Sequence, residues 1–232
     1  MSQRHPAARR TAQQSANEPD DVFVARVLHL GKWAEKNQQL ITVLAVVLAI
    51  GVAGLVYYRS YRRSLGAQAA QELEQIYQTV SMADVQGAQT ELGTFLERFG
   101  GTPYEAEARL LLGDLYLREG SAQQAQAVLQ PLGESPGEPL EFQAATLLAA
   151  AYEQDGQAAE AERIYLSIAD RSDLDFQVRD ALESAARLRA ERGDTQGALE
   201  LYERALDGLE EGSPDRGLYQ MRIEELRSAA TA

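Results

Sequence analysis

Residues 40–58 read LITVLAVVLAIGVAGLVYY, nineteen positions without a charge. At helical rise that run extends roughly 30 Å, the thickness of a bilayer's hydrocarbon core. Lys32 and Lys36 precede it, and Arg59, Arg62 and Arg63 follow it. No other part of the chain is apolar for so long; the remainder is polar, acidic and helix-patterned. One anchor therefore has to hold one water-soluble domain. A buried helix of a soluble protein competes poorly, because core helices rarely run so many turns without a charge. A cleaved signal peptide is the second competitor, with Val52-Ala53-Gly54 as a small-residue cleavage site. Its leading region would be far too long, and the arginines that follow at once resemble stop-transfer. The chain has no cysteine, which excludes a lipoprotein anchor. The reading is a single-pass span at 40–58.

Orientation follows less directly. Arg26, Lys32 and Lys36 on one side balance Arg59, Arg62 and Arg63 on the other, a tie under the positive-inside rule. Arg4, Arg9 and Arg10 in the N-terminal tail tip it, and long domains cross largely regardless of charge. The N-terminus is expected inside and the C-terminal domain outside. The whole chain has 22 basic and 35 acidic residues. Removing the nine basic and four acidic residues up to Arg63 leaves 13 against 31, a net charge of −18, with no lysine at all. Such a surface repels nucleic acid and anionic lipid, and it suits basic or polar protein partners.

The domain repeats. Ala88, Ala125, Ala161 and Ala198 follow one another at 37, 36 and 37 residues, the last three just after Gly120-Ser121, Asp155-Gly156 and Gly193-Asp194. Four positions on come Leu92, Leu129, Tyr165 and Tyr202, and seven positions on come Phe95, Leu132, Ile168 and Ala205. Alanine permits close backbone approach while the larger residues fill the space between helices, so each unit is a helix-turn-helix. Leu112-Gly113, Tyr116, Ala125, Leu129 and Pro136, followed by Leu148-Ala149, Tyr152, Ala161 and Tyr165, resemble the tetratricopeptide repeat. The copy around Ala198 has Ala186 and Arg189 where glycine and tyrosine are usual, and the first copy is recognisable only in its second helix.

Helices are expected near 64–81, 85–99, 104–119, 122–132, 139–154, 158–170, 175–192, 195–209 and 214–229, with a long turn over 133–139 (GESPGEP). The expected fold class is all-α: a single N-terminal transmembrane helix, then a tetratricopeptide-like α-solenoid of about four repeats over 64–232, closed by a C-terminal capping helix. On that last helix Leu218, Met221, Ile223 and Leu226 are expected to cover the final repeat, with Arg216, Arg222, Glu224 and Arg227 in water. Residues 1–21 lack periodicity and read as a disordered tail. Residues 22–39 read as a juxtamembrane amphipathic helix, with Trp33 near the interface. A plain extension of the spanning helix is the alternative there.

Catalytic and cofactor motifs are missing. Both histidines, His5 and His29, precede the span, so the domain has neither histidine nor cysteine for a zinc site, a Cys-His pair or a serine triad. Gly100-Gly101 lacks the ending of a phosphate loop, and pairs such as Asp173 with Asp175 read as solvated acids. No enzyme activity, metal, cofactor or small-molecule substrate is expected. Within the span, Ala45, Ala49 and Ala53, with Gly51 and Gly54, form a small-residue stripe that another transmembrane helix can approach. The alternative is the ordinary abundance of such residues in spanning helices.

Three local motifs carry a narrower resemblance. Trp33-Ala34-Glu35-Lys36-Asn37 lies before the span, Tyr57-Tyr58 at its end, and Tyr219-Gln220-Met221-Arg222-Ile223-Glu224-Glu225-Leu226 near the C-terminus. With the one span and the repeats, they make residues 22–228 similar to the YfgM-type ancillary subunit of the SecYEG translocon. The resemblance implies a bacterial inner-membrane protein with periplasmic repeats, partnering translocon subunits, emerging chains or a periplasmic chaperone. An envelope, division or outer-membrane assembly scaffold built on the same repeats is the alternative. Tetratricopeptide stacks bind ligands on the concave face lined by the first helix of each repeat. Registered on this chain, that face comprises Glu107, Leu110, Asp114 and Leu117, then Gln143, Thr146, Ala150 and Glu153, then Asp180, Glu183, Arg187 and Ala190.

Overall fold

The structure, a computed structural model, describes residues 37–231. The tail at 1–21, Trp33, both histidines and residues 22–36 of the amphipathic segment lie outside the described residues. Nine helices and no strand are present among the described residues: α1 Gln38–Ser81, α2 Val85–Phe99, α3 Glu105–Arg118, α4 Ala122–Gly133, α5 Pro139–Gln154, α6 Ala158–Arg171, α7 Asp175–Glu191, α8 Thr195–Asp207 and α9 Arg216–Thr231. The chain divides into two units between Tyr61 and Arg62.

In the first unit the large apolar side chains of α1, the half-buried Ile41 apart, are exposed, from 49% at Leu55 to 68% at Leu48. At about 25 cal/mol per Å² of apolar surface, leaving such a helix in water is costly. Its length and composition make it a candidate membrane span. A separate helix beginning near residue 64 is not formed. Residues 59–65 (RSYRRSL) contain no glycine or proline, so nothing stops the helix at the arginines, and α1 runs on to Ser81.

In the second unit the helices pair as repeats: the end of α1 shares a buried cluster with α2, α3 packs on α4, α5 on α6 and α7 on α8, and α9 closes the stack. Ala88, Ala125, Ala161 and Ala198 are all fully buried, as are Leu92 and Leu129 four residues beyond the first two. The core forms two stretches. One runs from Ala69, Leu73 and Ile76 through Phe95 and Phe99 to Leu115; the other runs from Ala125 to Ile223. Tyr116 and Val128 pack against both and join them.

Glycine is demanded at two close approaches. A Cβ on Gly113 would sit 2.6 Å from the Leu129 side chain, and one on Gly133 would sit 2.8 Å from the backbone of Ala144 and Ala145. Gly133 is therefore the buried last residue of α4 rather than part of a turn, and the connection to α5 is only 134–138. A capping box between Glu138 and Glu141 then opens α5, with Pro139 at its first position.

The turn inside each repeat follows one geometry. Gly120, Gly156 and Gly193 all have φ between 76° and 83°, five residues before the marker alanine. Amides of Ser121, Gln157 and Asp194 then donate back to carbonyls of Tyr116, Tyr152 and Arg189 at 2.8–2.9 Å, which ends each first helix in a Schellman turn. The first repeat uses Ala83 at the equivalent position, with φ 61°, so a Cβ occupies left-handed backbone there.

The cap differs from its expected register. Tyr219 and Ile223 are buried and Leu226 packs partly on the core, whereas Leu218 and Met221 are 43% and 53% exposed. The inward stripe is i, i+4, i+7 from Tyr219, and its phenol ring meets Tyr202 at 6.4 Å between centroids. Nor are all the arginines of α9 merely solvated. Arg216 donates to the carbonyls of Leu206 (3.1 Å) and Leu209 (2.8 Å), capping the end of α8, and Arg227 bridges to Glu203 at 2.8 Å.

Opposite outcomes are expected for two substitutions in the full chain, read by thermal unfolding in mild detergent. Gly133→Ala should lower stability by about 1–3 kcal/mol, because its obstacle is backbone and cannot rotate away. Ala83→Gly should raise it by about 0.5–1 kcal/mol, the relief of left-handed strain less the extra freedom of the unfolded chain.

Candidate partner-binding face

Four first helices stack side by side, and one register position shows how their exposed face is made. Tyr77, Asp114, Ala150 and Arg187 are separated by 37, 36 and 37 residues, the spacing of the marker alanines. The core fixes where those positions fall and leaves their chemistry open. The twelve residues named from the register lie where it puts them: Glu107, Leu110, Asp114 and Leu117 on α3; Gln143, Thr146, Ala150 and Glu153 on α5; Asp180, Glu183, Arg187 and Ala190 on α7. None of them is buried.

The structure gathers them into two hollows. The first, of about 590 Å³, collects Glu107, Leu110 and Asp114 with Gln143 and Thr146, and adds Tyr77, Leu111, Leu140, Leu147 and Gln177. The second, of about 640 Å³, collects Asp180, Glu183, Arg187 and Ala190 with Tyr202 of α8 and Arg222, Glu225 and Leu226 of α9. Leu117, Ala150 and Glu153 line neither. Leu117 packs on the core, and its carbonyl accepts from the Gln154 side chain at 3.2 Å. Sequence reasoning did not extend the face into α1 or α9. Carrying the same period one repeat in each direction reaches Tyr77 and the neighbourhood of Arg222.

Carboxylates on this face are held by phenols. Tyr77 Oη donates to Glu107 Oε1 at 2.7 Å, Tyr165 Oη to Glu153 Oε1 at 2.8 Å, and Tyr219 Oη to Glu183 Oε2 at 3.3 Å. Burial, then the Glu107 carboxylate, pushes the Tyr77 hydroxyl up to about 12. Burial and Glu183 do the same to Tyr219, also to about 12, and Tyr165 is raised by burial and then by Glu153. Glu153 takes a second partner, Arg187 Nη2 at 2.6 Å, and Arg187 reaches on to Glu191 at 3.0 Å. Hydrogen bonding to Glu153 is the main cause that raises the Arg187 guanidinium. Thus Glu153 ties α5 to α6 and α7, while Asp180 stands exposed at the rim.

Away from this face, Glu162 of α6 is nearly buried and bonds both Arg189, at 2.6 Å, and Arg192 at the end of α7. Burial pushes its carboxyl up, but the two arginines outweigh that and hold it below the usual range. This is a strap between repeats rather than a site. In the span, Ala45, Gly51, Ala49, Ala53 and Gly54 are exposed, and a Cβ on either glycine would meet nothing within 4 Å. Among the described residues no cluster of three or more His, Cys, Asp or Glu side chains has metal-site geometry.

Residues 31–228 match the family model of the tetratricopeptide repeat-like domain, a region that begins before the apolar run and ends inside α9. No curated protein matches the chain.

Glu153→Lys should lower stability by about 1–3 kcal/mol, because it strands the Tyr165 hydroxyl and sets two cations together, whereas Asp180→Lys should leave stability within about 0.5 kcal/mol of wild type, both read by thermal unfolding. Alkaline titration gives a second check. A tyrosine whose folded value is raised stabilises fully below the unfolded value near 10 and loses that contribution as pH rises toward 12. Stability should therefore fall over that window, and Tyr219→Phe should shallow the fall.

Proposed function

We propose that the chain, which belongs to the tetratricopeptide repeat-like family, is a membrane-tethered protein-interaction scaffold working beside the Sec translocon. A repeat domain of this kind is in general a protein-binding module, and the first-helix face is the surface that it offers. The observation that carries the tether is the run at 40–58, apolar on every side and included in the family match. Binding rather than catalysis is supported by a domain without histidine or cysteine. The placement beside the translocon is supported by the motifs at 33–37, 57–58 and 219–226, which resemble the YfgM-type subunit.

In this reading the N-terminus is cytoplasmic, the span lies in the bacterial inner membrane, and the acidic repeats stand in the periplasm. There they handle emerging chains or recruit a periplasmic chaperone. Six basic residues before the span and a long following domain support that orientation.

Purification of the full chain in mild detergent should retain translocon subunits. Recovery of division or outer-membrane assembly factors in their place would move the scaffold to that setting. For the topology, a periplasm-dependent reporter fused after Ala232 should be active and one fused near Arg10 silent; the reverse pattern overturns the orientation.

A further inference from the structure

The two hollows on the first-helix face differ in chemistry. In the second, two arginines stand among four lining carboxylates, Asp180, Glu183, Glu191 and Glu225: Arg222 pairs with Glu225 at 2.9 Å, and Arg187 with Glu153 and Glu191. The first has an apolar floor and wall of Leu110, Leu111, Leu140 and Leu147, and its charged lining residues, Glu107 and Asp114, are both acidic. The cation bridged to either is Arg118, one turn beyond Asp114 at 2.7 Å, with its side chain 72% exposed. The Tyr77 hydroxyl satisfies one oxygen of Glu107 without neutralising its charge. Leu140, 39% exposed at the first turn of α5, stands at the rim.

We propose that this hollow docks a cationic amphipathic protein segment, with an apolar side chain seated among Leu110, Leu111, Leu140 and Leu147 and a lysine or arginine beside it meeting Glu107 and Asp114. The inference rests on the reading of the first-helix face as the partner-binding surface and gives that partner its chemistry. A neutral apolar segment would cover the leucines but strip water from Glu107 and Asp114 with nothing in return. An acidic segment or an anionic lipid would meet like charge from these two carboxylates and from a domain of net charge −18. Only a segment carrying both elements gains from the leucines and from the acids. Its long basic side chains also lie well over apolar surface while keeping their charge at the rim.

The test uses the full chain in nanodiscs of zwitterionic lipid, with binding to empty discs subtracted. Three fluorescent helical peptides of equal length are compared by anisotropy: one of leucine and lysine, one with glutamate replacing lysine, and one with serine replacing leucine. The leucine–lysine peptide should bind at least tenfold more tightly than either other, and raised salt should weaken it. Leu140→Glu and Asp114→Lys should each weaken it about tenfold. Arg222→Glu in the second hollow should leave it unchanged, so a general attraction to the acidic surface is told apart from docking. Leu140 lies on an exposed first turn, so that variant remains informative if Asp114→Lys disturbs the fold. Equal binding of the glutamate peptide, equal binding by all three variants, or no binding above empty discs overturns the proposal. Partners retained in the detergent purification alongside such a result would remove only the chemistry assigned here. Loss of every partner would remove the scaffold reading itself.

Discussion

Helices in this domain lie as close as they do because small residues stand where they cross, and the larger side chains are fitted around that distance. Ala88, Ala125, Ala161 and Ala198 are buried without remainder. Gly113 accepts Leu129, and Gly133 lies against the backbone of the next repeat. Packed interiors have no slack for an added methylene, so the spacing is a sharp constraint and not a preference. From it follow the repeat period and the common turn. The exposed positions of each first helix fall in line for the same reason. A single repeat would leave an apolar face in water; stacking covers it, and α9 covers what the last repeat leaves bare.

Polar ties between repeats set register on top of that packing. Gln89 bonds Glu119, Arg187 bonds Glu153, Arg204 bonds Asp170 and Arg227 bonds Glu203, each reaching a neighbouring element. Solvated pairs of this kind are worth about 0–1 kcal/mol each, so they orient more than they stabilise. Ten of the domain's thirteen arginines take part in ion pairs, whether within one helix or between elements, which leaves the surplus of carboxylates unanswered and gives the surface its sign. The absence of lysine fits this use. Arg187 holds two carboxylates, Arg216 two carbonyls and Arg204 a carboxylate and a carbonyl. A planar fork makes such double contacts, and a compact ammonium makes them poorly.

Most of the fold was legible because it is written in spacing. Second to ninth helix, every end lies within two residues of where apolar periodicity and turn residues put it. What escaped was decided by contacts that spacing does not encode. The helix beginning near residue 64 proved to be the continuation of the apolar helix, because arginine, serine and tyrosine are adequate helix formers and mark no end. The first repeat hid its turn, since Ala83 occupies a position that glycine announces in the other three. On α9, Leu218 and Met221 drew the register toward themselves, while the buried anchor is Tyr219, a residue whose hydroxyl needed Glu183 before it could go inside. The candidate face divides in the same way. Which helices carry the twelve residues follows from the period, but that Glu153 is bound on both sides while Asp180 is exposed follows only from three dimensions.

That division also explains how one face can carry two chemistries. The position occupied by Tyr77, Asp114, Ala150 and Arg187 recurs at the spacing of the marker alanines, yet presents a phenol, an acid, a methyl and a base. The packed side of each helix permits this because it makes no demand on the outward side. Charge in each hollow is then settled by which neighbours come within reach. Arg187 meets Glu153 and Glu191, and Arg222 from the cap meets Glu225, so two guanidiniums stand among the carboxylates at the end of the stack. At the start of the stack the corresponding neighbour is Tyr77, which can donate a hydrogen bond to Glu107 but supplies no positive charge. The first hollow is thus lined by acids with no cation among them because a phenol stands where a later repeat has a guanidinium, over leucines that the core does not fully cover.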